Sequence, residues 1–181
     1  MDLNTEIFYL INNGLSNPYL DFIMPHVSDA GGFATLSVIC LILFVITRKN
    51  IFNLGKYYNL VKLCILSLII MFLITLPLKL AFNQPRPYLV LEHVNILTSS
   101  LDPNSFPSGH TATTVSIVTV LVLKSKDYFK KYKLINCLLI IFALTIGISR
   151  IYIGMHYPFD VLAGCVIGMV SGVLACKFLK V

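Results

Sequence analysis

Residues 60–82 read LVKLCILSLIIMFLITLPLKLAF, and the charged side chains in this run are Lys62 and Lys79, close to its two ends. A helix needs about 20 mostly apolar residues to cross the hydrocarbon core of a bilayer. A helix that is apolar on every side belongs either in a large core or in a membrane. The run therefore predicts a transmembrane helix with its two lysines near opposite membrane surfaces.

The rest of the chain has the same character. Apolar residues make up 57% of the sequence and charged residues 12%, against about 45–50% and about 25% in soluble domains. Four further apolar runs reach or approach the length of a span, namely 31–47, 107–123, 134–151 and 158–176. We therefore predict an all-α, polytopic bundle of about five transmembrane helices, which forms a single membrane-embedded domain over residues 1–181.

The first thirty residues precede the predicted spans. Leu3, Ile7 and Leu10 recur there at helical spacing, which is typical of an amphipathic helix on a membrane surface. The segment 1–30 is therefore predicted to be an interfacial helical segment.

The basic residues predict how the chain is oriented. With an external N-terminus, eleven of the fourteen lie on one side: Arg48, Lys49, Lys56, Lys62, Lys124, Lys126, Lys130, Lys131, Lys133, Lys177 and Lys180. Short basic loops mark the cytoplasmic side of a membrane. The sequence therefore predicts a multi-pass protein of the plasma or inner membrane. These loops also account for the net charge of +6 without nucleic-acid binding.

The three remaining cations, Lys79, Arg86 and Arg150, fall at the outer ends of predicted spans. Lys79 and Arg86 are seven residues apart, close to two helical turns, and the prolines on both sides of Arg86 predict that the helix has ended there. A lysine or arginine at a span end also has a simpler explanation, because its long side chain can place the charge in the membrane–water interface.

A second polar segment, Pro107-Ser108-Gly109-His110, opens the third predicted span. Proline favours the first turn of a helix, and the free amides of that turn attract anions. Gly109 lets a ligand approach the backbone, and the Ser108 hydroxyl adds a donor. The segment predicts an anion site with His110 at its mouth, although a lone histidine there can also be structural.

A third segment contains Arg150, His156 and Asp160. The spacing of His156 and Asp160 places them one turn apart if both lie on a helix. A carboxylate bonded to one imidazole nitrogen leaves the other nitrogen free to attack. An aspartate at a helix start can instead complement the helix dipole. Taken together, the three segments place cations, histidines and a carboxylate at one predicted depth, which suits a phosphoryl group.

These segments resemble the three motifs of the type 2 phosphatidic acid phosphatase (PAP2) family, in its membrane lipid phosphatase branch. The motifs are Lys-x6-Arg-Pro, Pro-Ser-Gly-His and Ser-Arg-x5-His-x3-Asp, and here they run from Lys79 to Pro87, Pro107 to His110 and Ser149 to Asp160. The resemblance implies catalysis by His156 as nucleophile, Asp160 as its orienting carboxylate and His110 as general acid and base. It implies phosphate binding by Lys79, Arg86, Ser108, Gly109 and Arg150, with no metal and no cofactor.

The expected function is that of a metal-independent phosphatase that acts on a membrane lipid at the extracellular or periplasmic face through a phosphohistidine. Candidate substrates are a polyprenyl pyrophosphate such as undecaprenyl pyrophosphate, phosphatidylglycerophosphate, phosphatidic acid and lipid A phosphates. A lipid phosphotransferase would use the same site. A transporter is less favoured, because the sequence lacks the internal repeats common in transporters. The oligomeric state stays open.

Overall fold

The computed structural model describes residues 2–98 and 102–179, and over these residues its regular structure is helical. Two short 3₁₀ turns, Ile51–Asn53 and Gly55–Tyr57, join the third and fourth helices. The α-helices are α1 (Leu3–Asn12), α2 (Pro18–Ala30), α3 (Phe33–Arg48), α4 (Tyr58–Phe82), α5 (Pro87–Val90), α6 (Gly109–Tyr128), α7 (Tyr132–Tyr152) and α8 (Pro158–Phe178).

Three of the described helical segments are long and apolar enough to cross a membrane: α4 with the turn before it, α7 and α8. A fourth is added if α2 and α3, which meet at a bend of 49°, count as one broken span. The predicted class, an all-helical bundle with membrane-spanning helices, is confirmed. The predicted number of five spans is not confirmed, because α6 is too polar to qualify by composition.

The polarity of α6 follows from its central position. This helix packs against α3, α4, α7 and α8, so its surroundings are mostly protein. Its buried side chains include several hydroxyl residues, namely Thr111, Thr113, Thr114 and Ser116. Some of these hydroxyls bond within the helix, as Thr113 Oγ1 does to the carbonyl of Gly109 at 2.8 Å. A helix enclosed in this way does not need an apolar surface.

Helix α8 approaches α6 at backbone distance. Gly164, Gly168 and Gly172 form one stripe on α8, and a Cβ atom at Gly168 would lie 2.7 Å from the carbonyl oxygen of Ala112. Larger residues would therefore force the two helices apart. The stripe holds the N-terminal ends of α6 and α8 next to each other.

The N-terminal segment is helical, as predicted, but it also packs on the bundle. Phe8 of α1 is fully buried. The Asn12 side chain, also buried, donates to the carbonyls of Tyr152 and Asn95 at 2.7 and 2.8 Å and accepts from the Asn95 amide. Asp21 of α2 accepts from the Tyr152 hydroxyl. The first two helices are thus attached to the end of α7.

Candidate active site

The ends of four helices bring the three motifs to one end of the bundle. Helix α4 ends at Phe82, where Asn83 takes a left-handed conformation with φ of 44°, so the prediction that the helix has ended before Arg86 is confirmed. Helices α6 and α8 begin at this end, and α7 finishes there. His110, at the start of α6, lies within electrostatic range of Arg150, Arg86 and Lys79.

His156 lies at the centre of this site and is 1% exposed. Its Nδ1 atom is 3.7 Å from Oδ2 of Asp160, and its Nε2 atom is 3.3 Å from Nη1 of Arg86. Burial, reinforced by the positive charges of Arg150 and Arg86, holds the pKa of His156 well below its ordinary value. The imidazole is therefore neutral near pH 7, which is the state that a nucleophile requires.

The reason for the proximity of His156 and Asp160 differs from the one predicted. The two residues do not share a helical face, because α8 begins only at Pro158 and His156 precedes it. Asp160 instead turns back over the helix start, where its Oδ2 accepts from the amide of Tyr157 at 2.8 Å. This capping turn brings the carboxylate towards His156. The Asp160 carbonyl also accepts from the amide of Ser108 at 3.0 Å, which links the second and third motifs.

Arg86 is held by protein oxygens on two sides. Its Nε donates to the carbonyl of Asp102 at 2.7 Å, and its Nη1 donates to the carbonyl of Met155 at 3.0 Å. The side chain is 4% exposed. Its guanidinium is therefore fixed in orientation beside the Nε2 atom of His156.

Asp102 was not among the predicted site residues. Its carboxylate accepts from Lys79 and lies 3.7 Å from Nη2 of Arg86, while Lys79 also donates to the carbonyl of Asn104 at 2.7 Å. Burial alone would raise the pKa of Asp102, but hydrogen bonds from Lys79 and from the Asn104 amide, together with the charges of Lys79 and Arg86, outweigh it, and the pKa is lowered. Asp102 is therefore ionised and links the two cations of the first motif.

Arg150 is 5% exposed and contacts the N-terminal segment. Its Nη1 atom donates to the hydroxyl of Ser28 in α2, and Asp29 lies near enough to interact with its charge. The Nε atom of Arg150 is buried and has no hydrogen-bond partner among residues 2–98 and 102–179. Ser28 was not predicted, because nothing near it in the sequence marks it.

The Pro107–His110 segment has a different arrangement at each residue. Ser108 is fully buried and its hydroxyl bonds with that of Thr111 at 2.9 Å, so its predicted contact with phosphate stays a prediction. A Cβ atom at Gly109 would meet no atom within 4 Å, so this backbone borders open space. The Nε2 atom of His110 lies beside Gly32, and a Cβ atom added to Gly32 would be 3.4 Å from it.

The charges of the site suit an anion. Arg86 lies 3.3 Å from the neutral imidazole of His156, and Arg150 and Lys79 are near enough to act on its charge. Cations placed in this way stabilise the charge of a transferring phosphoryl group. In the part of the chain that the structure describes, no three His, Cys, Asp or Glu side chains gather as they would around a metal ion.

Comparison with known proteins identifies relatives of this chain. Residues 59–180 match the family model described as the PAP2 superfamily. The undecaprenyl-diphosphatase BcrC of Bacillus subtilis is 34% identical, over 97% of this chain and 84% of its own length. The crystal structure of Aquifex aeolicus LpxE has a TM-score of 0.80 and 36% identity, over 98% of this chain and 96% of that one.

A second solved structure shows the same fold at lower identity. It is the transmembrane PAP2-type phosphatidylglycerolphosphate phosphatase of Bacillus subtilis, with a TM-score of 0.77 and 23% identity over 98% of this chain and 87% of that one. The enzyme class predicted from the motifs, a lipid phosphatase, is confirmed by these relatives. The chain belongs to the PAP2 superfamily.

Proposed function

We propose that the protein hydrolyses a polyprenyl diphosphate, with undecaprenyl diphosphate as the favoured substrate, at the outer face of the membrane and with His156 as nucleophile. The observation that carries this proposal is the buried, neutral His156 between Asp160 and Arg86. Its Nε2 atom is the nitrogen away from the carboxylate, and it faces the guanidinium that would bind phosphate.

In the first step, Nε2 of His156 attacks the terminal phosphorus of the substrate. The bond between this phosphorus and the bridging oxygen breaks, and the oxygen takes a proton from His110 as the lipid monophosphate leaves. The carboxylate of Asp160, 3.7 Å from Nδ1, stabilises the positive charge that develops on the ring. Arg86 and Arg150 bind the phosphoryl oxygens, and Lys79 adds a third positive charge.

In the second step, water attacks the phosphorus of the phosphohistidine. His110, now neutral, takes a proton from this water, and the bond between phosphorus and nitrogen breaks. Inorganic phosphate leaves, His156 is restored to its neutral state, and His110 again carries the proton needed for the next cycle.

The lipid substrate is supported by similarity along nearly the whole chain. The Bacillus subtilis undecaprenyl-diphosphatase matches 97% of this chain, including the N-terminal helices that lie outside the family-model match. The phosphatidylglycerolphosphate phosphatase resembles this chain at 23% identity, which supports a common fold alone. A diphosphate also suits a site with three cations.

The test is a comparison of lipid substrates with the purified protein in detergent. We expect phosphate release with the highest kcat/KM from undecaprenyl diphosphate, ahead of phosphatidylglycerophosphate and phosphatidic acid. The activity should survive EDTA and be inhibited by vanadate, which mimics the transition state. A preference for a glycerolipid would overturn the proposed substrate.

Transfer of phosphate to another lipid would identify a phosphotransferase, and absence of any release would favour a transporter.

The outer location of the site rests on the arrangement of charges. We propose that α3, α4, α6, α7 and α8 each cross the membrane, which places the loop between α6 and α7, with Lys130 and Lys131, inside. In a form of the protein without its native cysteines, a single cysteine is introduced at His93 or at Lys131, both exposed. On intact cells, an impermeant thiol reagent should then label position 93 but not position 131. Labelling at position 131 alone would show that the orientation is the opposite of the one proposed.

A further inference from the structure

The bend between α2 and α3, residues 28–32, forms one wall of the active site. It lies outside the part of the chain that matches the family model, which begins at residue 59. Ser28 contacts Arg150, and Gly32 lies beside the Nε2 atom of His110. The bend therefore reaches two residues that the mechanism uses.

The contact between Ser28 and Arg150 is buried on both sides. Ser28 is fully buried, Arg150 is 5% exposed, and the serine hydroxyl oxygen accepts from Nη1. A guanidinium is planar and rigid, so a bond at one nitrogen limits the directions that its other N–H groups can take. The Nε atom, which is buried and without a partner among the residues described, is one of the groups limited in this way.

The bend itself is held firmly against the bundle. The carbonyl oxygen of Gly31 accepts from the hydroxyl of Thr114 in α6 at 3.2 Å. A Cβ atom at Gly31 would lie 2.5 Å from the Ile146 side chain in α7, so the backbone is in close contact there. A serine on such a segment presents its hydroxyl at a fixed point.

We propose that Ser28 is a positioning residue for Arg150, which directs the free N–H groups of the guanidinium towards the phosphoryl oxygens. This inference rests on the proposed function, since it assigns Arg150 to the transferring phosphoryl group. It gives the N-terminal segment a part in catalysis: α2 supplies the acceptor that orients a cation of the third motif.

The test compares Ser28→Ala and Ser28→Thr with the wild type. Loss of the acceptor should lower kcat/KM about tenfold to hundredfold, as is common for residues that orient a functional group. Vanadate affinity, measured by direct binding, should fall by a similar factor. Ser28→Thr keeps the hydroxyl and should stay within about threefold of the wild type.

Ser67→Ala is the matched control, because Ser67 is equally buried and, among residues 2–98 and 102–179, its hydroxyl bonds only to the carbonyl of Cys64 in α4. Equal vanadate affinity in Ser28→Ala and Ser67→Ala would overturn the proposal. A second check uses Arg150→Lys as background, where Ser28→Ala should change kcat/KM less than about twofold, since no guanidinium remains to orient. The same loss in both backgrounds would also overturn it.

Failure of the proposed function would look different. A wild-type protein that binds vanadate but hydrolyses none of the lipids refutes the proposed activity, while the vanadate comparison still decides the role of Ser28. A wild-type protein that binds no vanadate refutes the oxyanion site and the role of Ser28 together.

Discussion

The two ends of the bundle use basic residues in opposite ways. At the site end, Arg86 and Arg150 are buried and hydrogen-bonded, and Lys79 bonds to a carboxylate and a carbonyl. At the other end, most basic residues are exposed: Arg48, Lys49, Lys56, Lys126, Lys130, Lys131, Lys133 and Lys177. A cation that binds a phosphoryl oxygen must be fixed in position, whereas one that sets membrane orientation needs only its charge.

The contacts of the cations show the same difference. Lys56 and Lys126 lie over the rings of Tyr57 and Tyr132, with 4.9 and 5.7 Å from Nζ to the ring centre, and such contacts are weak at exposed sites. Burial of a charge without partners is unfavourable, and the site cations have acceptors supplied by the protein itself. Substitutions at the two ends should therefore differ greatly in their effects.

The largest effect is expected at the residue that the site cations surround. His156→Ala should lower kcat by at least about 10⁴-fold on every substrate, because no covalent intermediate can form. Phosphate release from a lipid diphosphate and from an aryl phosphate, measured with properly folded protein, checks this. A variant within about tenfold of the wild type would exclude His156 as nucleophile.

His110→Ala provides the comparison that separates the two histidines. An aryl phosphate releases its aryloxide without protonation, so with this substrate the variant should still phosphorylate His156 and then stall, because water is not activated. Rapid mixing should show a burst of one alcohol per enzyme and an acid-labile phosphoenzyme. A burst from His156→Ala instead would exchange the two roles, and no burst from either would indicate direct attack by water.

A smaller but still large effect is expected from Arg150→Lys. The planar guanidinium can contact two phosphoryl oxygens while bonded to Ser28, whereas an ammonium acts as a point charge. We expect kcat/KM to fall about 10²–10³-fold, as for loss of one preorganised contact. Arg48→Lys makes the same change at the exposed end and should have no effect beyond about twofold. Equal effects of the two substitutions would abolish the distinction between the two ends.

The smallest effect is expected from the exposed lysines. Removal of charge at Lys130 and Lys131, both to Gln, should leave kcat/KM within about twofold, because exposed ionic contacts contribute little. Enzyme assays at equal protein concentration check this. A loss above tenfold would show that the basic end takes part in catalysis.

The sequence predicted those features that depend on neighbouring residues. Prolines marked the end of α4 and the start of α8, and apolar runs marked α4, α7 and α8. The prediction that His156 and Asp160 lie close together was correct, but for a different reason. Proline at position 158 starts the helix after His156, so a capping turn rather than a shared face brings the pair together.

The features that were not predicted depend on packing between distant segments. Ser28 reaches Arg150 across 122 residues because α2 packs on α7, and no local pattern indicates such a contact. Asp102 lies 23 residues from Lys79, in the loop between α5 and α6. The sequence did predict a span over residues 107–123, but not the central position of α6 in the bundle, which depends on neighbours that a single sequence does not show.

The polar character of α6 also bears on how the protein enters the membrane. The translocation machinery accepts a segment according to its apolarity, and serine and threonine weaken that preference. Bonds such as that from Ser116 Oγ to the carbonyl of Thr113 reduce the number of free donors, but the hydroxyl residues still lower the overall apolarity of the helix. We therefore expect α6 to integrate together with α7 as a helical hairpin. Between soluble reporter domains, α6 alone should integrate poorly and the α6–α7 pair efficiently.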